Sequence, residues 1–217
     1  MVDLIQIYHK LLDCFGRQGW WPADGPFEII VGAILTQQTT WANVTKAIAN
    51  LKECKLLDVR SLARMELPQI EETIRPAGYF RQKAKRLKWV CDYFVKNYGG
   101  DLNKLFSKPL PELRKELLGL PGLGTETVDS ILLYAGGKLV FPIDAYTKRI
   151  VHRLGITNLD RYEDLRECFE HKLPRDLGVW QEFHALIVQL AKSFCKVKPA
   201  CHACPLIEEC RFAKSKE

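Results

Sequence analysis

The chain has 217 residues, with 32 Lys and Arg against 26 Asp and Glu, a formal net charge of +6, and 8 Cys. Hydrophobic residues make up 47% and charged residues 27%. That composition excludes a disordered chain and leaves enough apolar mass for a real core. No apolar run approaches the roughly 20 residues that span a bilayer. The segment from Met1 to Lys10 lacks a basic-then-apolar leader pattern. The expected location is the cytoplasm, with no membrane partner. The positive balance suits a polyanionic partner, but many metabolic enzymes share it.

The dominant period is helical. Residues 41–52 place Val44, Ala47, Ile48 and Leu51 at i, i+3, i+4 and i+7. Pro68 and Pro111 each open a short helical pattern, since proline suits the first helical position. Residues 82–98 carry Ala84, Leu87, Val90, Cys91, Phe94 and Tyr98 on one face, and Gly99-Gly100 stops them. Residues 125–135 place Val128, Ile131, Leu132 and Ala135 together. The run 139–143 is apolar but holds Pro142, so it reads as an extended connector. Residues 180–194 read as a long buried helix. The expected fold is all-α, with roughly ten helices. The tail 214–217 is expected to fray. Cys14, Cys54, Cys91 and Cys168 are scattered and read as small buried hydrophobes.

Three groups of residues carry chemistry. The first is Leu120-Pro121-Gly122-Leu123-Gly124, between two helical stretches. Its glycines allow a tight turn, and the N–H groups that open the next helix suit a phosphate. A plain helix–helix turn is the alternative. The second is Asp144, after Val140-Phe141-Pro142-Ile143. It fits an N-cap. In apolar surroundings it also fits a carboxylate that steadies positive charge or activates water. The third is Cys195, Cys201, Cys204 and Cys210. Four thiolates in one loop hold a [4Fe–4S] cluster or a zinc ion, and soft sulfur alone does not decide between them. Lys192, Lys196 and Lys198 make that loop basic, as a phosphate contact or a solvated face would be. His202 reads as a bystander.

In this order the three groups resemble the endonuclease III superfamily of helix–hairpin–helix DNA glycosylases. The segments 27–39, with Leu35-Thr36-Gln37-Gln38-Thr39, and Ala77-Gly78-Tyr79-Phe80-Arg81-Gln82-Lys83-Ala84 resemble that family's two DNA-facing loops. The resemblance spans roughly residues 20–210. It implies two helical lobes with a DNA-binding cleft between them. One lobe would be 24–138, with the helix–hairpin–helix. The other would be 1–23 plus 139–217, with Asp144 and the cysteine loop. It also implies a monomer that acts on double-stranded DNA with damaged bases, and a [4Fe–4S] cluster on the four cysteines, with zinc as the alternative. Gly122 and Gly124 would meet DNA at the hairpin, and Gln38 and Tyr79 would enter the duplex.

Bifunctional members place a lysine where this chain has Glu126, and a carboxylate cannot form an imine. The first cysteine gap is five residues where the usual pattern has six. A narrower resemblance, to the 3-methyladenine DNA glycosylase subgroup, rests on Gly19-Trp20-Trp21-Pro22, on Trp41 after the Gln loop, and on Gly124-Thr125-Glu126-Thr127-Val128-Asp129. It implies that Trp20 and Trp41, with Trp21 and Pro22 beside them, clamp a flipped base; core packing is the alternative for these tryptophans. The function expected is base excision repair of alkylated purines by a monofunctional glycosylase using Asp144. The competing expectations are a glycosylase for deaminated, mismatched or oxidised bases, and a DNA-binding protein without catalysis.

Overall fold

A computed structural model describes residues 3–215. Among them there are thirteen α-helices, two 3-10 turns and no strand. In chain order the helices are α1 (Leu4–Phe15), α2 (Pro26–Leu35), α3 (Trp41–Glu53), α4 (Val59–Arg64), α5 (Leu67–Thr73), α6 (Phe80–Tyr98), α7 (Leu102–Phe106), α8 (Leu110–Leu118), α9 (Thr125–Tyr134), α10 (Ala145–Leu154), α11 (Tyr162–Lys172), α12 (Leu177–Ser193) and α13 (Arg211–Lys214). The all-α expectation holds. The number exceeds ten because α4, α7 and α13 are too short to show a period. No helix among the described residues is long and apolar enough to cross a membrane.

The chain divides into two compact units, Trp21–Lys138 and Met1–Trp20 with Leu139–Glu217. In the first, α2 is the central element. Every residue of α2 except Pro26 and Ile29 is buried, and it packs against α3, α6 and α9. Its buried Glu28 pairs with Lys52 of α3 at 2.8 Å and accepts the Asp24 N–H at 2.8 Å. Helix α6 lays Ala84, Leu87, Val90, Cys91 and Phe94 on the core and ends at Gly99, whose φ of +63° suits glycine. Helices α8 and α9 form the helix–hairpin–helix. They are braced by Arg114, whose Nε and Nη2 donate to the two oxygens of fully buried Asp129 at 2.7 and 3.0 Å.

The second unit is closed by the chain's first helix. Asp3 caps α1 by accepting the Ile5 N–H at 3.0 Å. Leu4, Ile7 and Leu11 of α1 are buried, and the helix packs on α11 and α12. Helix α12 begins at Leu177, earlier than its apolar pattern implies, because Asp176 accepts the Val179 N–H at 2.9 Å.

Two expectations need correction. Cys91 is buried and Cys168 partly so, but Cys14 and Cys54 are exposed. Cys14 continues the Leu4, Ile7, Leu11 spacing but lies in the last turn of α1, beyond the buried part of the stripe, and Cys54 is the residue that ends α3. Of the tail expected to fray, Lys214 closes α13, while 216–217 lie outside the described residues.

The α8–α9 brace gives a direct test. Asp129→Leu removes the buried carboxylate to which Arg114 Nε and Nη2 donate, and a chemical denaturation curve should show a loss of about 3 kcal/mol. Arg114→Met added to Asp129→Leu should restore most of that loss; a double variant as weak as the single would refute the pairing.

Candidate active site

Asp144 sits where the extended connector 139–143 becomes α10. The connector joins no ladder, so side chains satisfy its backbone. The Phe141 N–H donates to Glu170 Oε1 at 3.1 Å, and the Ile143 N–H donates to the Tyr162 hydroxyl at 3.3 Å. Pro142 has no N–H to satisfy. The buried Phe141 ring stacks on Phe169 at 4.5 Å and meets Trp180 and Phe183 edge-on at 6.2 Å each. That aromatic cluster anchors the segment just before the carboxylate.

Asp144 Oδ1 accepts the Thr147 N–H at 2.6 Å, capping α10. Its Oδ2 lies 3.7 Å from Nε2 of His184, a buried residue of α12, and its own side chain is 13% exposed. Burial holds His184 below its ordinary value of 6.5, opposed by the Asp144 charge, so the imidazole is neutral at pH 7. The Thr147 hydroxyl, also buried, has no hydrogen-bond partner among the described residues. A carboxylate fixed by one N–H beside a neutral imidazole can steady a positive centre or take a proton from water.

In the other unit three loops are tied together. Gly122 opens the hairpin with φ +81°, and a Cβ there would collide with the Arg86 side chain. Arg86 Nη1 donates to Gln37 Oε1. Gln37 Nε2 in turn donates to the Gly122 carbonyl at 3.2 Å and to Thr127 Oγ1 at 3.0 Å. Gly124 is the N-cap of α9, and exposed Glu126 lies in its first turn. The next glutamine, Gln38, is exposed and left-handed at φ +56°. Tyr79 is 63% exposed and left-handed at φ +47°, opening α6. Buried Lys83 donates to the Leu35 carbonyl at 2.9 Å and the Ala77 carbonyl at 2.8 Å. Burial, helped by the Arg86 charge, lowers its ammonium to about 8.

The same unit holds an aromatic group. Trp21 meets Trp41 edge to face, centroids 5.5 Å apart at 83°, and meets Tyr134 at 5.5 Å and 61°. Gly32 permits this, since a Cβ there would lie 3.1 Å from the Trp21 ring. The Trp21 and Trp41 rings are perpendicular, not two parallel plates. Trp20 is partly exposed and belongs to the other unit; Pro22 is exposed.

Cys195, Cys201, Cys204 and Cys210 line one pocket, together with Phe194, Pro199, Ile207 and Phe212. Among the described residues no group of three or more His, Cys, Asp and Glu is drawn close enough to grip a single ion. Two arginines of α10 hold the loop. Arg149 Nε donates to the Cys195 carbonyl at 2.9 Å. Arg153 donates to Cys195 Sγ at 3.3 Å and to the Lys196 and Val197 carbonyls at 2.6 and 3.1 Å. Lys192, Lys196, Lys198 and His202 are exposed.

Residues 31–175 match the family model for HhH-GPD superfamily base excision DNA repair proteins, more than half of the chain. The chain belongs to the HhH-GPD superfamily. It is 47% identical over 95% of both chains to a Methanocaldococcus jannaschii protein assigned by inference as a DNA repair glycosylase. It is 30% identical to Endonuclease III of Thermotoga maritima over 86% of this chain and 83% of that one. A solved Endonuclease III–DNA covalent intermediate superposes with a TM-score of 0.83 at 26% identity, covering 100% of this chain and 99% of that one. Helicobacter pylori 3-methyladenine DNA glycosylase bound to 1,N6-ethenoadenine gives 0.79 at 28% identity, covering 88% and 98%. The protein is a DNA glycosylase of base excision repair with the endonuclease III fold.

Gln37 and Lys83 lie in the two segments that resemble the family's loops, but the bonds they and Arg86 make to one another and to backbone leave no mark in the sequence. His184 hides in an apolar helix, where its one visible mark is being the lone imidazole among Phe183, Ala185, Leu186 and Ile187.

The His184 environment predicts an acid response. The unfolded chain takes up a proton as pH falls through 6.5, while folded His184 resists it. Acid therefore favours the unfolded state, and stability present above that range is lost below it. Melting temperatures measured against pH should fall less steeply for His184→Gln than for the wild type. Parallel curves would count against a neutral buried imidazole.

Proposed function

We propose that this chain is a monofunctional DNA glycosylase that removes alkylated purines, such as 3-methyladenine, from duplex DNA by hydrolysis and without lyase activity. The observation that carries the reading is the group of Trp21, Trp41 and Tyr134 seated on Gly32. N3- and N7-alkylated purines are positively charged. A cation over an indole face gains roughly 0.5–2 kcal/mol, which a neutral purine lacks. In this reading Trp20, Trp21, Pro22 and Trp41 receive the base. Gln38 and Tyr79 fill the place it leaves, and the Gly122–Gly124 hairpin takes a phosphate on the first N–H groups of α9.

The alkylated base leaves readily, so the remaining task is at the sugar. Asp144 faces the positive charge that develops there and takes the proton of the attacking water. Glu126 in place of the lyase lysine leaves water as the nucleophile. The likeness to the Helicobacter pylori enzyme supports the substrate class. We read the four cysteines as holding a [4Fe–4S] cluster in preference to zinc. An all-sulfur donor set around a shared apolar pocket suits a group several atoms across. Bound there, the cluster would fix the fold of the basic loop, which Arg153 also holds through Cys195 Sγ and the Lys196 and Val197 carbonyls.

Duplexes carrying methylated, deaminated, mismatched and oxidised bases test the substrate. Release should be confined to alkylated purines, and release of uracil or oxidised bases alone would overturn the reading. Asp144→Asn should cut single-turnover release by about 100-fold or more while leaving lesion affinity nearly intact. Borohydride should trap no protein–DNA adduct. For the cofactor, protein purified without air should be brown, with iron and labile sulfide in equal amounts; zinc in a colourless preparation would refute the cluster.

A further inference from the structure

Lys83 is 1% exposed, yet no carboxylate pairs with it among the described residues. A buried charge without a counter-ion is costly, and an apolar side chain would fill the same place at lower cost. Its acceptors among the described residues are two backbone carbonyls, and both stand at helix ends. Leu35 is the last residue of α2, and Ala77 is the last of the 3-10 turn Arg75–Ala77. Such carbonyls have no partner within their own helix and carry partial negative charge. One ammonium therefore closes two helix ends from separate parts of the sequence.

Each end leads directly into a loop tip. Three residues past Leu35 comes Gln38, and two past Ala77 comes Tyr79. Both are exposed, and both are non-glycine residues held left-handed. Gln37, between Leu35 and Gln38, is fixed separately by Arg86 and the hairpin. The two tips thus spring from one anchored base.

We propose that Lys83 is a positioning residue for nucleotide extrusion: its buried ammonium ties the backbone ends that carry Gln38 and Tyr79, so the two side chains enter the duplex at a fixed spacing. This rests on the reading of those two residues as the ones that enter DNA, but not on the identity of the lesion. Two independent tips would each have to find the stack. Two tips on one base are already ordered before DNA arrives, which lowers the entropy lost on binding.

The test is extrusion, not base release, so an error about the substrate class does not disturb it. The full chain is mixed with a duplex holding an abasic analogue opposite 2-aminopurine, whose fluorescence rises on unstacking. The wild type should raise the signal. Lys83→Met should lower that rise by about threefold or more, with circular dichroism and affinity for undamaged duplex held, because unstacking a base costs energy that only well-placed side chains offset. In a Gln38→Ala/Tyr79→Ala background the same change should have little further effect, since a residue acting only through the tips is non-additive with them. Should Lys83→Met fail to fold, Lys83→Gln, which can reach one carbonyl, should give an intermediate rise. Equal rises for wild type and the Lys83 variants, or full additivity with the tip variants, would overturn the proposal. No rise with the wild type would overturn it too, because tips that stay out of the duplex need no positioning. A loss of extrusion in the Lys83 variants while Gln38→Ala/Tyr79→Ala extrudes normally would show that the tips, and not the tie, were misread.

Discussion

The bond from the Thr147 N–H to Asp144 Oδ1 decides where the other carboxylate oxygen stands. Capping a helix and presenting an oxygen are usually separate tasks; here one side chain does both. The cap fixes the side-chain torsion, so Oδ2 is directed to His184 without further restraint. The connector before it is equally constrained, because Phe141 is locked in an aromatic cluster and Glu170 and Tyr162 hold backbone N–H groups on either side of Pro142. From Asp144 the same helix runs on to Arg149 and Arg153, which grip the cysteine loop. A helix of this length is stiff, so the capping carboxylate and the cysteine loop share one rigid reference.

In the other unit the equivalent constraint is made by side chains reaching backbone. Gln37 and Arg86 bind the hairpin to the Gln loop, and Lys83 binds that loop to the turn before α6. Neighbouring glutamines have opposite tasks: Gln37 is half-buried and bonded through both Nε2 and Oε1, while Gln38 is exposed on a left-handed backbone. The Gly122 position is restricted twice, by its φ and by the guanidinium lying over it.

Much of this was legible in the sequence. The 3.6-residue period marks α3, α6 and α9 because each has one wet face and one dry face. Pro68 and Pro111, Asp144 and the Gly122 turn are visible since caps and turns are set by local chemistry. What was not legible depends on distant partners. The burial of Lys83 was not legible, because the backbone carbonyls that receive it leave no mark in a sequence. Cys14 continues the apolar stripe of α1 yet is exposed in its last turn, where the period says nothing of what covers the helix end. The contact of Trp21 with Trp41 and Tyr134 over Gly32 was not legible either, because ring orientation is decided by packing and not by spacing.

The order in which the chain is made has its own effect. Helix α1 is made well before α12, against which it buries its apolar stripe, and the Gln18 N–H must find Glu182, 164 residues later. The contiguous unit, Trp21–Lys138, can collapse on itself during translation. Helix α1 has no such option and waits, amphipathic and unpartnered, until α12 has left the ribosome. Refolding from denaturant should accordingly be paced by this long-range closure and not by helix formation.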